Sequence, residues 1–104
     1  MWAQKQGYYC FHCPNGEKRD GRTASKLMAM GVKPGVPDLI FILPNGKILW
    51  VELKLANGIL SKSQEKFRHK LQSLSHHYLL IQADSLLEAV YYLAPELSRI
   101  CPLE

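Results

Sequence analysis

Asp38, Glu52 and Lys54 are the residues of this sequence whose types and spacing could do chemistry together. Two carboxylates supply the hard oxygen ligands that Mg²⁺ binds at about 2.1 Å, and the backbone carbonyl of Leu53 is a plausible third ligand. A neighbouring ammonium group can orient an attacking water or stabilise growing negative charge. The chemistry this set indicates is metal-assisted hydrolysis of a phosphodiester. A structural ion pair between lysine and carboxylates is the alternative reading of the same residues.

A β-hairpin is predicted to bring these three side chains together. Two β-forming runs, 39–43 and 47–54, flank Pro44-Asn45-Gly46, which reads as a type I turn followed by a left-handed glycine. A three-residue loop pairs Leu43 with Lys47, and the three polar side chains then share one face within roughly 5–7 Å of each other. A two-residue loop would shift the pairing by one and separate the two carboxylates.

The other elements predict a single α/β domain over residues 1–104, since this length supports one hydrophobic core. Both faces of the hairpin are apolar, so helices must cover both. The expected fold is a mixed sheet of about four strands flanked by helices on both faces. Besides the hairpin, the predicted elements are a strand at 8–13, a helix at 22–30, a helix from 61 to about 75, a strand at 77–82, and a helix from 85 to about 93 that Pro95 ends.

The net charge of +4 lies in the first third of the chain. Residues 1–35 hold six basic and two acidic side chains, whereas residues 36–104 hold seven of each. This asymmetry favours a polyanionic partner such as nucleic acid over a merely solvated face. The expected phosphate contacts are Lys18, Arg19, Arg22 and Lys33. Gly35 is expected to let the backbone approach DNA closely.

Cysteine usage and hydropathy predict an intracellular protein. Three cysteines do not suit a disulfide framework, and the chain has no apolar run long enough to cross a membrane. Cys10 and Cys13 form a C-x-x-C pair, but structural zinc needs four ligands and no second pair follows. Zinc is therefore the weaker alternative.

Gln64 has two readings. It completes a capping box with Ser61 at the start of the second predicted helix. It also lies on the same helical stripe as Phe67 and Leu71, which would face the sheet and point a polar group toward the hairpin's polar end. The second reading makes Gln64 a residue of the site.

The pattern resembles the PD-(D/E)xK nuclease superfamily, because Pro37-Asp38 and Glu52-Leu53-Lys54 match its two motif halves on adjacent strands. A longer run over residues 8–93 is similar to the virus-type replication-repair nuclease (VRR-NUC) domain. The residues that carry this similarity are His12-Cys13-Pro14-Asn15-Gly16, Gly31-Val32-Lys33-Pro34-Gly35-Val36-Pro37-Asp38, Glu52-Leu53-Lys54 and Ser61-x-x-Gln64.

The resemblance implies metal-dependent, structure-selective DNA cleavage. The free-standing viral and bacterial members of this family resemble Holliday junction resolvases and act as homodimers. The family keeps a glutamine at the place of Gln64, which implies a role for Gln64 in the site. His12 and Asn15 match the family motif beside the first strand, which implies that they line the DNA groove. The chain departs from the family pattern at its start, where Met1-Trp2-Ala3-Gln4 offers no acidic residue.

The function expected from residues and resemblance together is an endodeoxyribonuclease that uses Mg²⁺, with Mn²⁺ as a substitute, on branched or four-way-junction DNA. It would be bacterial or phage-encoded, cytoplasmic and dimeric. A non-catalytic DNA-binding module, a monomeric flap-type nuclease and a restriction-type nuclease are the alternatives. Apolar residues near the C-terminus could cover the sheet or supply a dimer interface: Tyr91, Tyr92, Leu93, Leu97 and Ile100.

Overall fold

The computed structural model describes residues 2–13 and 33–102. The predicted helix at 22–30 and the turn at 14–16 lie outside the described residues. The described elements, in chain order, are α1 (Trp2–Lys5), β1 (Tyr9–His12), β2 (Leu39–Leu43), a single 3₁₀ turn (Pro44–Gly46), β3 (Lys47–Lys54), α2 (Lys62–Ser73), β4 (His77–Gln82) and α3 (Leu86–Ile100).

Four strands in the described part of the chain form one mixed sheet in the order β1-β2-β3-β4. The first three strands are antiparallel, and β4 runs parallel to β3. The hairpin pairs Leu43 with Lys47 and Leu39 with Val51, which confirms the predicted register. The expected α/β fold with a mixed sheet of about four strands is therefore confirmed.

The hairpin turn differs from the predicted type. Asn45 has φ 63° and ψ 31°, and Gly46 has φ 72°, so both residues adopt left-handed conformations. A type I turn would have placed Asn45 near φ −90°. Asparagine tolerates the left-handed region better than other side-chain-bearing residues, which explains how the turn keeps its three-residue length and its register.

Helices cover the two faces of the sheet, as expected. On one face, α1 and α3 enclose the core, which contains Phe41, Leu49, Val51 and Ile81 from the strands together with Ala3, Leu93, Leu97 and Ile100 from the helices. On the other face, α2 packs against β3, where the rings of Trp50 and Phe67 lie 5.9 Å apart between centroids. The candidate site lies on this second face.

The prediction that Pro95 ends the last helix is wrong, because α3 continues through it to Ile100. A proline inside a helix removes one backbone hydrogen bond and costs about 3 kcal/mol. Leu97 and Ile100 are almost completely buried, and each such side chain contributes roughly 1.5–3 kcal/mol. Lys47 also donates a hydrogen bond from Nζ to the Ile100 carbonyl oxygen at 2.8 Å. Burial and this contact together offset the proline.

The C-terminal apolar residues divide between core and surface. Leu93, Leu97 and Ile100 are buried against the sheet, whereas Tyr91 and Tyr92 remain 74% and 49% exposed. Only the two tyrosines of that set are left to serve an interface. Within the described residues, no helix has the length and apolar character needed to cross a bilayer.

Candidate active site

Asp38 immediately precedes β2 and faces the C-terminal end of β3. Extending the hairpin register by one pair beyond Leu39 and Val51 puts Asp38 opposite Glu52. The Asp38 carboxylate accepts a hydrogen bond at Oδ2 from the Leu53 backbone N–H at 2.8 Å. The hairpin therefore continues as a side-chain contact where its backbone ladder ends, and that contact fixes the position of the Asp38 carboxylate.

Glu52 is the buried member of the pair, with only 2% of its surface exposed. Its Oε1 accepts a hydrogen bond from Gln64 Nε2 at 2.7 Å. Its Oε2 is also buried, and no described residue hydrogen-bonds to it. A buried carboxylate oxygen without a partner is costly in a folded protein, so it marks a place where a cation would be stabilising.

Gln64 caps α2, as predicted, and its side chain also reaches Glu52. Its Oε1 accepts a hydrogen bond from the Ser61 backbone N–H at 2.8 Å, while its own backbone N–H donates to Ser61 Oγ at 3.2 Å. This is the complete capping box at the start of α2. Because the amide oxygen is used by the cap, the amide NH₂ is oriented toward Glu52. The start of α2 and the buried carboxylate are thus held by one side chain.

The environment of Glu52 raises its pKa from 4.5 to about 7. Burial is the main cause, because it disfavours the charged form, and the Asp38 carboxylate adds to it. Lys54, the Asp38 backbone and the Gln64 side chain act in the opposite direction. In the absence of a cation, Glu52 is therefore partly protonated at neutral pH.

Leu53 offers its backbone carbonyl on the same side of β3 as Asp38. Its N–H already points to Asp38, and the N–H and C=O of one strand residue point toward the same neighbouring strand. No group of three His, Cys, Asp or Glu side chains suited to a metal occurs among residues 2–13 and 33–102. Among the described residues the oxygen donors are two carboxylates and one carbonyl, a small set that suits Mg²⁺ because this ion keeps several waters.

Lys54 ends β3 two residues after Glu52, so its side chain lies on the same face. Its ammonium group lowers the pKa of Glu52, which places positive charge near the carboxylate pair. The Lys54 backbone carbonyl is used elsewhere, since it accepts a hydrogen bond from Ala83 N at 2.9 Å. The structure thus brings together the trio predicted from the sequence.

The loop that leads to Asp38 packs tightly on the start of α2. Gly35 has φ +82°, and a Cβ at this position would collide with the Ser63 carbonyl oxygen and lie 2.8 Å from the Gln64 backbone nitrogen. The close backbone approach that glycine permits here is therefore to the helix that carries Gln64. A contribution of Gly35 to DNA binding stays a prediction.

A family model of the VRR-NUC domain matches residues 1–83, which include every residue of this site. The chain belongs to the VRR-NUC family.

One relative and one solved structure resemble this chain. A protein of Acyrthosiphon pisum secondary endosymbiont phage 1, named "Putative nuclease p44", is 31% identical over 75 residues, which cover 72% of this chain and 80% of that protein. A solved structure described as a VRR_NUC domain protein superposes with a TM-score of 0.69 at 21% identity, covering 92% of this chain and 72% of the other. The first supports a nuclease, and the second confirms the fold.

The expected DNA contacts of this VRR-NUC chain are placed only in part. Lys18, Arg19, Arg22 and Asn15 lie outside the described residues. Lys33 is exposed in the loop before Gly35. His12 is exposed but pairs with Leu39, which packs on the core. Its side chain therefore belongs to the face opposite Asp38, and the structure does not bring it into the site.

Three residues near the site were missed from the sequence. Cys13 continues β1 beside Asp38, and its backbone N–H donates a hydrogen bond to the Asp38 carbonyl oxygen at 2.8 Å.

Tyr78 pairs with Trp50 in the parallel register and so shares the Glu52 face. Burial, with Glu52 next, raises the Tyr78 pKa to about 12. The Arg68 guanidinium lies 5.4 Å from the centre of the Tyr78 ring. β4 is half-buried on both of its sides, so only the β3–β4 register shows that Tyr78 shares the Glu52 face.

Replacement of Gly35 by alanine should destabilise the domain far more than the same change at Gly46. Both glycines have positive φ, but nothing lies within 4 Å of a Cβ at Gly46. We expect Gly46→Ala to cost about 1 kcal/mol for its conformation alone. Gly35→Ala should cost at least about 3 kcal/mol, because the added methyl also displaces the first turn of α2. Urea denaturation measures the free energy of unfolding of both variants. Equal losses would contradict the close contact between Gly35 and the first turn of α2.

Glu52 should make the metal-free protein less stable as pH rises. Its folded pKa of about 7 exceeds the ordinary value of 4.5, so the folded state binds more protons between those values. The free energy of unfolding then falls from pH 5 to pH 8. Glu52→Gln should remove this decline and, at pH 8, stabilise the protein by up to about 3 kcal/mol. The test is urea denaturation in EDTA at both pH values. A variant with the wild-type pH dependence would show that Glu52 is not the group responsible.

Proposed function

We propose that this VRR-NUC chain is a Mg²⁺-dependent DNA endonuclease that cleaves branched DNA in the manner of a Holliday junction resolvase, with Mn²⁺ able to replace Mg²⁺. The observation that carries the proposal is the buried Glu52 Oε2, which lies without a described partner beside the Asp38 carboxylate. The chain belongs to a nuclease family, and a cation would stabilise its carboxylate pair. Both observations support metal-assisted hydrolysis of a phosphodiester.

The residues of the site fit a hard divalent cation. Asp38 and Glu52 would hold Mg²⁺ with their carboxylates, and the Leu53 carbonyl would complete the protein's share of the ligands. When bound, Mg²⁺ would polarise the phosphodiester and lower the pKa of a bound water. The raised pKa of Glu52 fits such a site, because this carboxylate is stabilised in its charged form once a cation lies beside it.

The protein's own groups have separate tasks in this proposal. Lys54 holds a positive charge next to the carboxylates, where it orients the attacking water or stabilises the negative charge that develops on the phosphate. Gln64 is a positioning residue, because its amide holds Glu52 Oε1 at 2.7 Å and leaves Oε2 for the cation. Burial of Glu52 keeps bulk water away from this oxygen and strengthens every electrostatic interaction there.

Selectivity for branched DNA is the finer part of the proposal. A four-way junction is close to two-fold symmetric, and its resolution needs matched cuts in two strands. One domain with one site makes one cut, so a two-fold homodimer is the simplest assembly. Tyr91 and Tyr92, exposed on α3 with their rings 5.5 Å apart, are the surface residues best suited to part of the interface.

A non-catalytic DNA-binding module is the alternative from a different class. A module that only binds DNA does not require a buried carboxylate next to a second one. Glu52 lowers the stability of the metal-free protein. The intact set of Asp38, Glu52 and Lys54 therefore favours the enzyme. Flap-type and restriction-type nucleases differ from the proposal in substrate, and the cleavage assay below separates them.

Asp38→Asn and Lys54→Ala should each lower the cleavage rate by at least about a hundredfold while the domain stays folded. The assay compares a four-way junction, a flap, duplex and single-stranded DNA with Mg²⁺, Mn²⁺ and Ca²⁺. We expect the junction to be cut best, with Mg²⁺ or Mn²⁺ but not Ca²⁺. Asp84→Asn and Lys5→Ala are matched controls outside the site and should cut like the wild type. A site variant that cuts at nearly the wild-type rate would overturn the assignment.

The assembly is predicted to be a homodimer in physiological salt. Light scattering should give a mass near two chains, and Tyr91→Ser together with Tyr92→Ser should shift it toward one chain, because exposed aromatic rings lose their contact area. Circular dichroism checks that the double variant remains folded. A mass near one chain at concentrations where both strands of a junction are cut would contradict the dimer and favour a monomeric flap-type nuclease.

A further inference from the structure

A row of three lysines runs along the outward side of α2. Lys62, Lys66 and Lys70 follow each other at intervals of four residues, so they lie on one side of the helix, and all three are exposed. The helix as a whole holds four basic side chains and one acidic one, a net charge of +3. The balance of charges over residues 36–104 hides this local excess.

The charge of this lysine row is not neutralised within the described part of the chain. No described carboxylate forms an ion pair with any of the three lysines, and the single acid of α2, Glu65, lies 3.4 Å from His69. Like charges four residues apart repel each other on a helix. Lys62 also stands in the first turn, where the helix dipole disfavours positive charge. In the free protein the row is therefore slightly unfavourable, and a bound anion would relieve it.

The lysine row begins in the first turn of α2, which also carries Gln64, and it projects from the other side of that helix. Lys62 is two residues before Gln64, whose amide holds Glu52, and the row extends from there over about 12 Å of helix axis. Duplex DNA carries one phosphate for about every 1.7 Å of its axis, which provides anions along the whole row. The aromatic residue of α2, Phe67, packs on Trp50 instead of joining the row, so this surface suits phosphates and not stacked bases.

We propose that Lys62, Lys66 and Lys70 bind the phosphate backbone of a duplex arm that flanks the cleavage point. The inference rests on the proposed nuclease function and adds a DNA-binding surface on α2. Contacts of this kind position the duplex without reading its sequence. They should therefore strengthen binding to junction, flap and plain duplex DNA alike.

The test is a binding titration of the triple variant Lys62→Gln, Lys66→Gln and Lys70→Gln over a series of salt concentrations, with Ca²⁺ in place of Mg²⁺. Glutamine has nearly the helix propensity of lysine, so the fold should be retained, and thermal melting verifies this. We expect affinity for a duplex-armed junction to fall at least about tenfold. The slope of log affinity against log salt should shrink by about two to three, since each lost phosphate contact removes about 0.9.

Lys66→Gln and Lys5→Gln form a matched pair of single variants. Lys5 is exposed on α1, which packs on the opposite face of the sheet. Lys66→Gln should lower the salt slope by about one and Lys5→Gln should leave it unchanged. Equal effects of Lys66→Gln and Lys5→Gln would overturn the proposal that the lysine row binds DNA. Wild-type affinity and salt slope in the triple variant would do the same. Either result would leave the proposed nuclease function intact. A wild type that neither binds nor cuts any of these DNAs would overturn the proposed function and the row with it.

Discussion

The structure depends on how one buried carboxylate is held. Glu52 lies at the end of a central strand, and the Gln64 amide is its only described side-chain hydrogen-bond partner. That amide is oriented because its oxygen is occupied by the N-terminal cap of α2. The cap is positioned in turn by Gly35, which lets the loop before Asp38 touch the first turn of the helix. Both sides of the carboxylate pair are therefore fixed by one junction of strand, loop and helix.

This arrangement lowers the stability of the metal-free protein, and the rest of the fold must offset that loss. Burial and the neighbouring Asp38 raise the pKa of Glu52, and one of its oxygens lacks a described partner. The opposing contribution comes from the other face of the sheet, where Phe41, Leu49 and Val51 are almost fully buried beneath α1 and α3. An apolar core on one face thus compensates for a buried carboxylate on the other. A cation would remove that cost where the chemistry takes place.

The parts of the candidate site that follow from local rules could be predicted from the sequence. The loop length set the hairpin register, which placed Asp38 opposite Glu52 even though Asn45 does not have the predicted conformation. Helix periodicity and capping together located Gln64. What the sequence did not show depends on tertiary context: Pro95 stays helical because the residues after it are buried, and Tyr78 reaches the Glu52 face through pairing between β3 and β4. The outward position of Lys62, Lys66 and Lys70 followed from helix periodicity, but the balanced charge of residues 36–104 gave no reason to count them among the DNA contacts.

Asp38 and Glu52 are proposed to form one divalent-cation site. Calorimetric titration with Mn²⁺ at pH 7, in two buffers of different ionisation enthalpy, measures both the ions bound and the protons released. We expect one ion per chain and a measurable release of protons, because burial raises the pKa of Glu52 to about 7 and this carboxyl must be charged to bind the ion. Asp38→Asn should abolish this binding. Binding of the same strength in the variant, or no binding by the wild type, would contradict the account.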